Sequence, residues 1–246
     1  MTDTLPEDIR RKYETHAARF SRDYEERPYW QGAALRRISD YLDQNPTELV
    51  LDIGCGSGFL IRTLALRHPQ VRFIGVDFSG ELIRIAENSS PPPNVKFMNE
   101  DVVLWKKGWV DLRPASGKNV LCLVVGVMEH YGPGDDFTRA AQEIWSGIEK
   151  GALFITFHNA SMFGRALLKR RSKKYWDLPQ AIEGFRGNRD GFQVVYRSFA
   201  LCDLLARGPF PAAFLLAVDR KVSSLPLFFS RKFATLLELT LRRPGI

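Results

Sequence analysis

The sequence predicts a doubly wound α/β domain, a mostly parallel sheet with helices on both faces. Three observations carry this. Strand-like and helix-like segments alternate with short connections from residue 48 to residue 158, the pattern of parallel sheets. The run KNVLCLVVGV (118–127) is almost wholly apolar, as in a strand covered on both faces. The stretch VLDIGCGSGFL (50–60) passes from an apolar strand through three alternating glycines into a helical pattern. Ligands of such sheets sit at the carboxyl ends of the strands.

The elements follow in order. Ile9, Tyr13, Ala17, Phe20 and Tyr24 recur at helical spacing, so residues 7–27 read as a helix that Pro28 ends. A second helix spans 29–44, closed by Asn45-Pro46. Strands are expected at 48–53, 71–77, 94–99, 118–127 and 152–158, with helices at 58–68, 80–88 and 135–149. Ser79 suits the cap of the helix at 80–88. Beyond 158 the alternation breaks. A helix is expected at 197–207, and FLLAVD (214–219) and TLLELTLR (235–242) read as the last two strands.

Three glycines in five residues cost conformational entropy on ordering, so Gly54, Gly56 and Gly58 ask for a reason. Close approach of a nucleotide-type ligand is one; a tight turn is another. The dinucleotide fingerprint is G-x-G-x-x-G over a helix N-terminus. Here the spacing is G-x-G-x-G, and Asp52 stands two positions before the first glycine. A carboxylate there repels a pyrophosphate and suits a ligand with an ammonium and no phosphate, such as S-adenosylmethionine. Asp77 ends the second strand, where a carboxylate accepts ribose hydroxyls through charge-assisted hydrogen bonds. It equally suits a helix cap.

LDIGCGSG (51–58), GVDFSGELIRIAEN (75–88), NEDV (99–102) and VVGVMEH (124–130) occur in this order. With them the chain resembles the class I S-adenosylmethionine-dependent methyltransferases, small-molecule branch, over roughly residues 10–160. The resemblance implies a Rossmann-like, doubly wound, seven-stranded sheet with the last strand antiparallel. It implies one domain: an N-terminal helical cap (1–46), a cofactor core (47–159), a substrate lid inserted after strand five (160–196), and a C-terminal helix with the last two strands (197–246). S-Adenosylmethionine is the implied cofactor and S-adenosylhomocysteine its product, with no metal.

Position by position, the resemblance puts Gly54, Cys55, Gly56 and Gly58 at the methionine end and Asp52 at the ammonium. Asp77 takes the ribose, Phe78 lies beside the adenine, Asp101 accepts from its amino group, and Val102 offers a backbone donor. Val125 passes under the sulfonium. Tyr13 and Phe20 resemble lid residues, although an aromatic stripe at helical spacing also suits a core, and Asp101 also suits a helix cap. His130 and His158, just past predicted strand ends, are the candidate bases, because imidazole titrates near neutral pH. A base is needed only when the accepting atom carries a proton. Tyr131, Arg165, Tyr175, Trp176 and Phe192, with Phe20, are the candidate substrate contacts.

Charge divides the chain. Residues 1–150 carry 19 Lys/Arg against 22 Asp/Glu, and residues 151–246 carry 16 against 6. RALLKRRSKK (165–174) alone holds six basic residues, which suit an anionic substrate, a solvated surface or loose contact with an anionic membrane. Three scattered cysteines exclude a disulfide framework and a C-x-x-C site. No run is long enough to cross a bilayer, and the charged N-terminus is unlike a signal peptide; a cytoplasmic location is expected. The asparagine-proline-proline-tyrosine type motif is absent after strand four, and no nucleic-acid-binding segment is appended. A small-molecule acceptor is therefore expected. A nucleic-acid or protein methyltransferase and a non-catalytic cofactor-binding partner subunit are the alternatives.

Overall fold

The computed structural model describes residues 7–26, 28–104, 117–128, 130–132, 134–158, 176–185, 191–197, 210–223 and 236–243. Its elements are α1 (Glu7–Thr15), α2 (Ala17–Glu26), α3 (Pro28–Gln44), β1 (Leu49–Ile53), α4 (Phe59–Arg67), β2 (Arg72–Asp77), α5 (Gly80–Asn88), β3 (Val95–Asn99), β4 (Asn119–Val124), α6 (Asp136–Gly147), β5 (Lys150–His158), α7 (Leu178–Phe185), β6 (Gly191–Arg197), α8 (Ala212–Ser223) and β7 (Leu236–Arg243).

The seven strands form one sheet in the order β3-β2-β1-β4-β5-β7-β6. β1 pairs in parallel with β2 and β4, and β4 in parallel with β5. β7 runs antiparallel between β5 and β6. The strand order reverses between β1 and β4, so their carboxyl ends frame the crevice where such sheets bind ligands.

Side chains alternate across the central strands and so divide the core. Leu49, Leu51, Val120 and Cys122 pack on one face with Phe137, Trp145 and Trp176. Val50, Leu121 and Leu123 pack on the other with Ile38 of α3 and Leu60, Ile61 and Leu64 of α4. β1 and β4 are buried at every position, as their unbroken apolar runs require.

The sixth strand is not FLLAVD. Residues 212–223 form α8, whose first turn follows Pro211 and whose Leu215 amide donates to the Pro211 carbonyl. Pro-Ala-Ala ahead of the leucines is a helix start, and a six-residue apolar run carries no period that excludes a helix. The sixth strand is GFQVVYR, with Gly191 opposite Arg242 and Arg197 opposite Leu236. It lies across the expected boundary at 196, so the segment assigned to a lid includes a strand of the sheet. It also includes α7, which starts with a reciprocal cap: the Gln180 amide donates to Asp177 Oδ1 and the Asp177 amide to Gln180 Oε1. The helix expected over 7–27 is broken at His16 into α1 and α2. The basic run 165–174, Cys202, most of the helix expected at 197–207 and residues 226–233 lie outside the described residues.

Gly58 opens α4 with φ of 73°. A Cβ there would stand 2.3 Å from Phe97 Cζ and 3.3 Å from Ala86 Cβ. Backbone conformation and close packing both demand glycine. Gly58→Ala is expected to destabilise the fold by about 1–3 kcal/mol, through strain at a left-handed residue and displacement of Phe97. Thermal unfolding checks this, and an unchanged melting temperature contradicts it.

Candidate active site

The carboxyl ends of β1, β2, β3 and β4 open into one cleft with a cavity volume of about 90 Å³. α1 and α2 roof it through Tyr13 and Phe20. Asp52, Gly54, Cys55, Gly56, Asp77, Phe78, Asp101, Val102, Val125, His130 and Tyr131, all singled out in the sequence, line it with them. Chain order scatters these residues; the parallel sheet gathers them.

The glycine turn is built for approach. The Gly54 and Cys55 amides donate to the Val76 carbonyl at 2.8 and 3.1 Å. The Gly56 amide donates to Asp77 Oδ2 at 2.8 Å, and a Cβ on Gly56 would meet nothing within 4 Å. Gly56 thus leaves the cleft floor open. Asp77 Oδ1 accepts from the Ser79 amide at 2.9 Å, so this carboxylate ties the turn to the start of α5. Ser79 caps α5, accepting from the Leu82 amide. Ser57 Oγ lines the cleft and is buried, with no hydrogen-bond partner among the described residues.

The roof is held by three contacts from α1. Tyr13 Oη lies 2.7 Å from His130 Nε2. Glu14 accepts from the Gly80 and Glu81 amides at 3.0 and 3.3 Å, covering the N-terminus of α5. Arg10 pairs with Asp101 Oδ2, and its guanidinium lies 4.8 Å from the Phe78 ring centroid. Asp101 Oδ1 accepts from the Val103 amide at 3.0 Å. Tyr13 stacks on Phe20 at 4.8 Å and meets Phe78 and His130 edge-on. Sequence reading alone misses Arg10, Glu14 and Ser57. Arg10 and Glu14 lie near Tyr13 on α1, at spacings of three and one, and that is the available signal.

Several expectations are corrected. Gly58 does not line the cleft; it packs on Phe97. Trp176 is not a substrate wall. It is fully buried against Phe157, with centroids 4.9 Å apart, and its indole N–H donates to the Tyr131 carbonyl at 2.9 Å. A large aromatic with a buried partner for its N–H belongs to the core. Phe192 sits opposite Leu241, which pairs in turn with Leu153 in the amino-terminal half of β5. That level of the sheet is far from the rim, because β6 runs parallel to β5. His158 ends β5 opposite Leu236. Arg165 and Tyr175 lie outside the described residues.

Comparison with known proteins points the same way as the cleft. The profile of a family described as a methyltransferase domain matches residues 50–151. This stretch holds the glycine turn, Asp77, Asp101 and His130.

Residues 50–151 are similar to a methyltransferase domain, which supports a class I S-adenosylmethionine-dependent methyltransferase.

Among relatives, the chain is 31% identical over 96 residues to a malonyl-[acyl-carrier protein] O-methyltransferase of Halalkalibacterium halodurans, covering 36% of the chain and 35% of the relative. It is 35% identical over 69 residues to a tRNA (guanine-N(7)-)-methyltransferase of Mycoplasma capricolum, covering 24% and 30%. The chain thus spans about a third of the length of these curated relatives. Its fold matches magnesium protoporphyrin IX methyltransferase from Synechocystis with bound SAH, at a TM-score of 0.62 and 17% identity, over 97% of the chain and 100% of that structure.

The cleft is acidic. Asp52, Asp77, Glu100 and Asp101 line it, with no lysine or arginine among the described lining residues. Burial, and then the charge of Asp77, push the Asp52 carboxyl up to about 8. Burial pushes Asp77 up to about 6, against the two amides that favour its anion. Burial also raises the Cys55 thiol well above its usual range, so Cys55 is a neutral thiol and not a nucleophile. Raised carboxyls bind protons in the folded state at pH values where the unfolded chain has released them. Their contribution to stability is therefore present at low pH and lost as pH rises. The melting temperature of the ligand-free protein is expected to fall between the ordinary carboxylate range and about pH 8, and Asp52→Asn to flatten that slope. An unchanged slope in the variant would show that Asp52 is not the proton carrier.

Proposed function

We propose that this protein is a methyltransferase that binds S-adenosylmethionine in the acidic cleft and moves its methyl group to a small-molecule acceptor whose nucleophilic atom carries a proton. The observation that supports this best is the Tyr13–His130 contact of 2.7 Å at the roof of the cleft. It sets a hydroxyl against an imidazole beside Val125 and Val127.

The residues present fit the cofactor. The sulfonium methyl it carries is the group transferred when it is bound. Four carboxylates line the cleft, one of them paired with Arg10; they favour a ligand bearing positive charge and disfavour the pyrophosphate of a dinucleotide. Asp52 orients the ammonium, and Gly56 lets the methionine end approach the backbone. Ser57 Oγ supplies a buried hydroxyl that needs a partner. Asp77 accepts from the ribose while its amide contacts hold it in place. Phe78, Asp101 and Val102 meet the adenine. Because an ammonium needs the Asp52 anion, binding releases the proton that Asp52 holds up to about pH 8. Affinity accordingly rises with pH through this range. Titrations in buffers of different ionisation enthalpy read that proton directly, and buffer-independent heats contradict it.

Transfer requires the acceptor, methyl and sulfur in line, and positioning supplies most of the rate. Tyr13, Phe20, Tyr131 and Phe137 give the acceptor an apolar surround. An acceptor hydrogen-bonded to Tyr13 Oη gives up its proton toward His130 as the new bond forms. Loss of the methyl removes the sulfonium charge, so the acidic cleft holds the product less tightly than the cofactor.

A second reading, methylation of RNA, draws on the tRNA-modifying relative and on the basic C-terminal part of the chain. Both are tested together by incubating the chain with methyl-labelled cofactor, fractionated small metabolites and bulk tRNA. Label in a small product, with rates insensitive to moderate salt, supports the first reading. Label in tRNA, with rates falling steeply as salt rises, supports the second.

A further inference from the structure

We propose that Arg10 is an internal competitor for the nucleoside end of the cleft, a side chain that occupies the adenine's two partners until the cofactor displaces it. This rests on the cofactor assignment proposed above. Arg10 holds Asp101 Oδ2 and lies over the ring of Phe78, the two side chains assigned above to the adenine. The other Asp101 oxygen is already committed to the Val103 amide. A planar guanidinium over an aromatic ring, bonded to a carboxylate at its edge, imitates a nucleobase bearing an exocyclic amine.

Electrostatics explain why such a stand-in is useful. Asp77 feels the charges of both Glu14 and Asp101. Arg10 brings the compensating cation, and S-adenosylmethionine brings its own. Leaving is inexpensive for Arg10, because its side chain is already 34% exposed whereas that of Asp101 is 13% exposed. The guanidinium returns to water, and the adenine takes the desolvated position. Tyr13 and Glu14 hold α1 through separate contacts, so the exchange moves one side chain and leaves the roof in place.

S-Adenosylhomocysteine titrated into the parent chain, Arg10→Ala and Arg10→Lys tests this. Arg10→Ala is expected to bind about five- to tenfold more tightly, the scale of a partly exposed ion pair no longer competing, with Arg10→Lys between the two. In the parent chain, an arginine-selective dicarbonyl reagent read by peptide mass is expected to modify Arg10 faster with S-adenosylhomocysteine bound than without it. Weaker binding by Arg10→Ala, or protection of Arg10 by the ligand, overturns the proposal and makes Arg10 a clamp on the nucleoside. Equal affinities and equal labelling overturn it alone and leave the cofactor assignment standing. Failure of all three chains to bind S-adenosylhomocysteine, with their melting curves intact, overturns both.

Discussion

His130→Ala is expected to lower turnover by about 10²- to 10⁴-fold, the usual worth of a positioned base, while cofactor affinity stays close to that of the parent. His130 lies beyond the carboxyl end of β4, and its amide donates to the Val127 carbonyl at 3.0 Å. Its ring then meets Tyr13 from the roof at 2.7 Å. The pair links the α1 roof to the β4 side of the cleft. His130 bonds to Tyr13, whereas Asp77 and Asp101 bond to the Gly56, Ser79 and Val103 amides, so cofactor affinity separates a base from a cofactor support. Tyr13→Phe keeps the stacking on Phe20 and removes only the hydroxyl, so it separates chemistry from roof packing. It should lower kcat with little change in melting temperature. Turnover reduced less than threefold in His130→Ala would assign the imidazole to lining the cleft. An equal loss of cofactor affinity would make it a support of the roof.

Asp77→Ala is expected to weaken S-adenosylmethionine by about 1.5–3 kcal/mol, the cost of a lost charge-assisted hydrogen bond. The carboxylate accepts from the Gly56 and Ser79 amides, so the alanine also leaves the glycine turn without its tie to α5. Asn is no conservative control, because its amide NH₂ would face one of those two N–H donors. Calorimetry and thermal unfolding must therefore be read together. Lost affinity with a preserved melting curve is the ligand effect. Unchanged affinity in a folded variant would remove Asp77 from the site.

Much of this site is legible in the sequence because a parallel sheet has a strict grammar. β1 and β4 are buried on both faces and so read as unbroken apolar runs. Residues at or just past the strand ends land on one rim, which brings Asp52, Asp77, Asp101 and His130 together across 79 positions. The C-terminal part obeys no such rule. FLLAVD is too short for its period to separate a strand from the helix it forms, and GFQVVYR comes after a basic, aromatic stretch that hides it. Trp176 reads as a substrate wall in the sequence because its burial depends on Phe157 and the Tyr131 carbonyl, contacts that only tertiary packing creates. Gly58 shares a motif with Gly54 and Gly56 but answers to Phe97 rather than to the cleft. Arg10 is legible only through its spacing of three from Tyr13, because an arginine on an amphipathic helix usually meets only water.

The most direct test of the cofactor reading is a calorimetric titration of the purified chain with S-adenosylmethionine, with NADH in a parallel cell. The acidic cleft predicts saturable binding of S-adenosylmethionine at one site, release of a proton near neutral pH, and no heat from the dinucleotide. Binding of NADH, or no binding of S-adenosylmethionine by a folded chain, would contradict it.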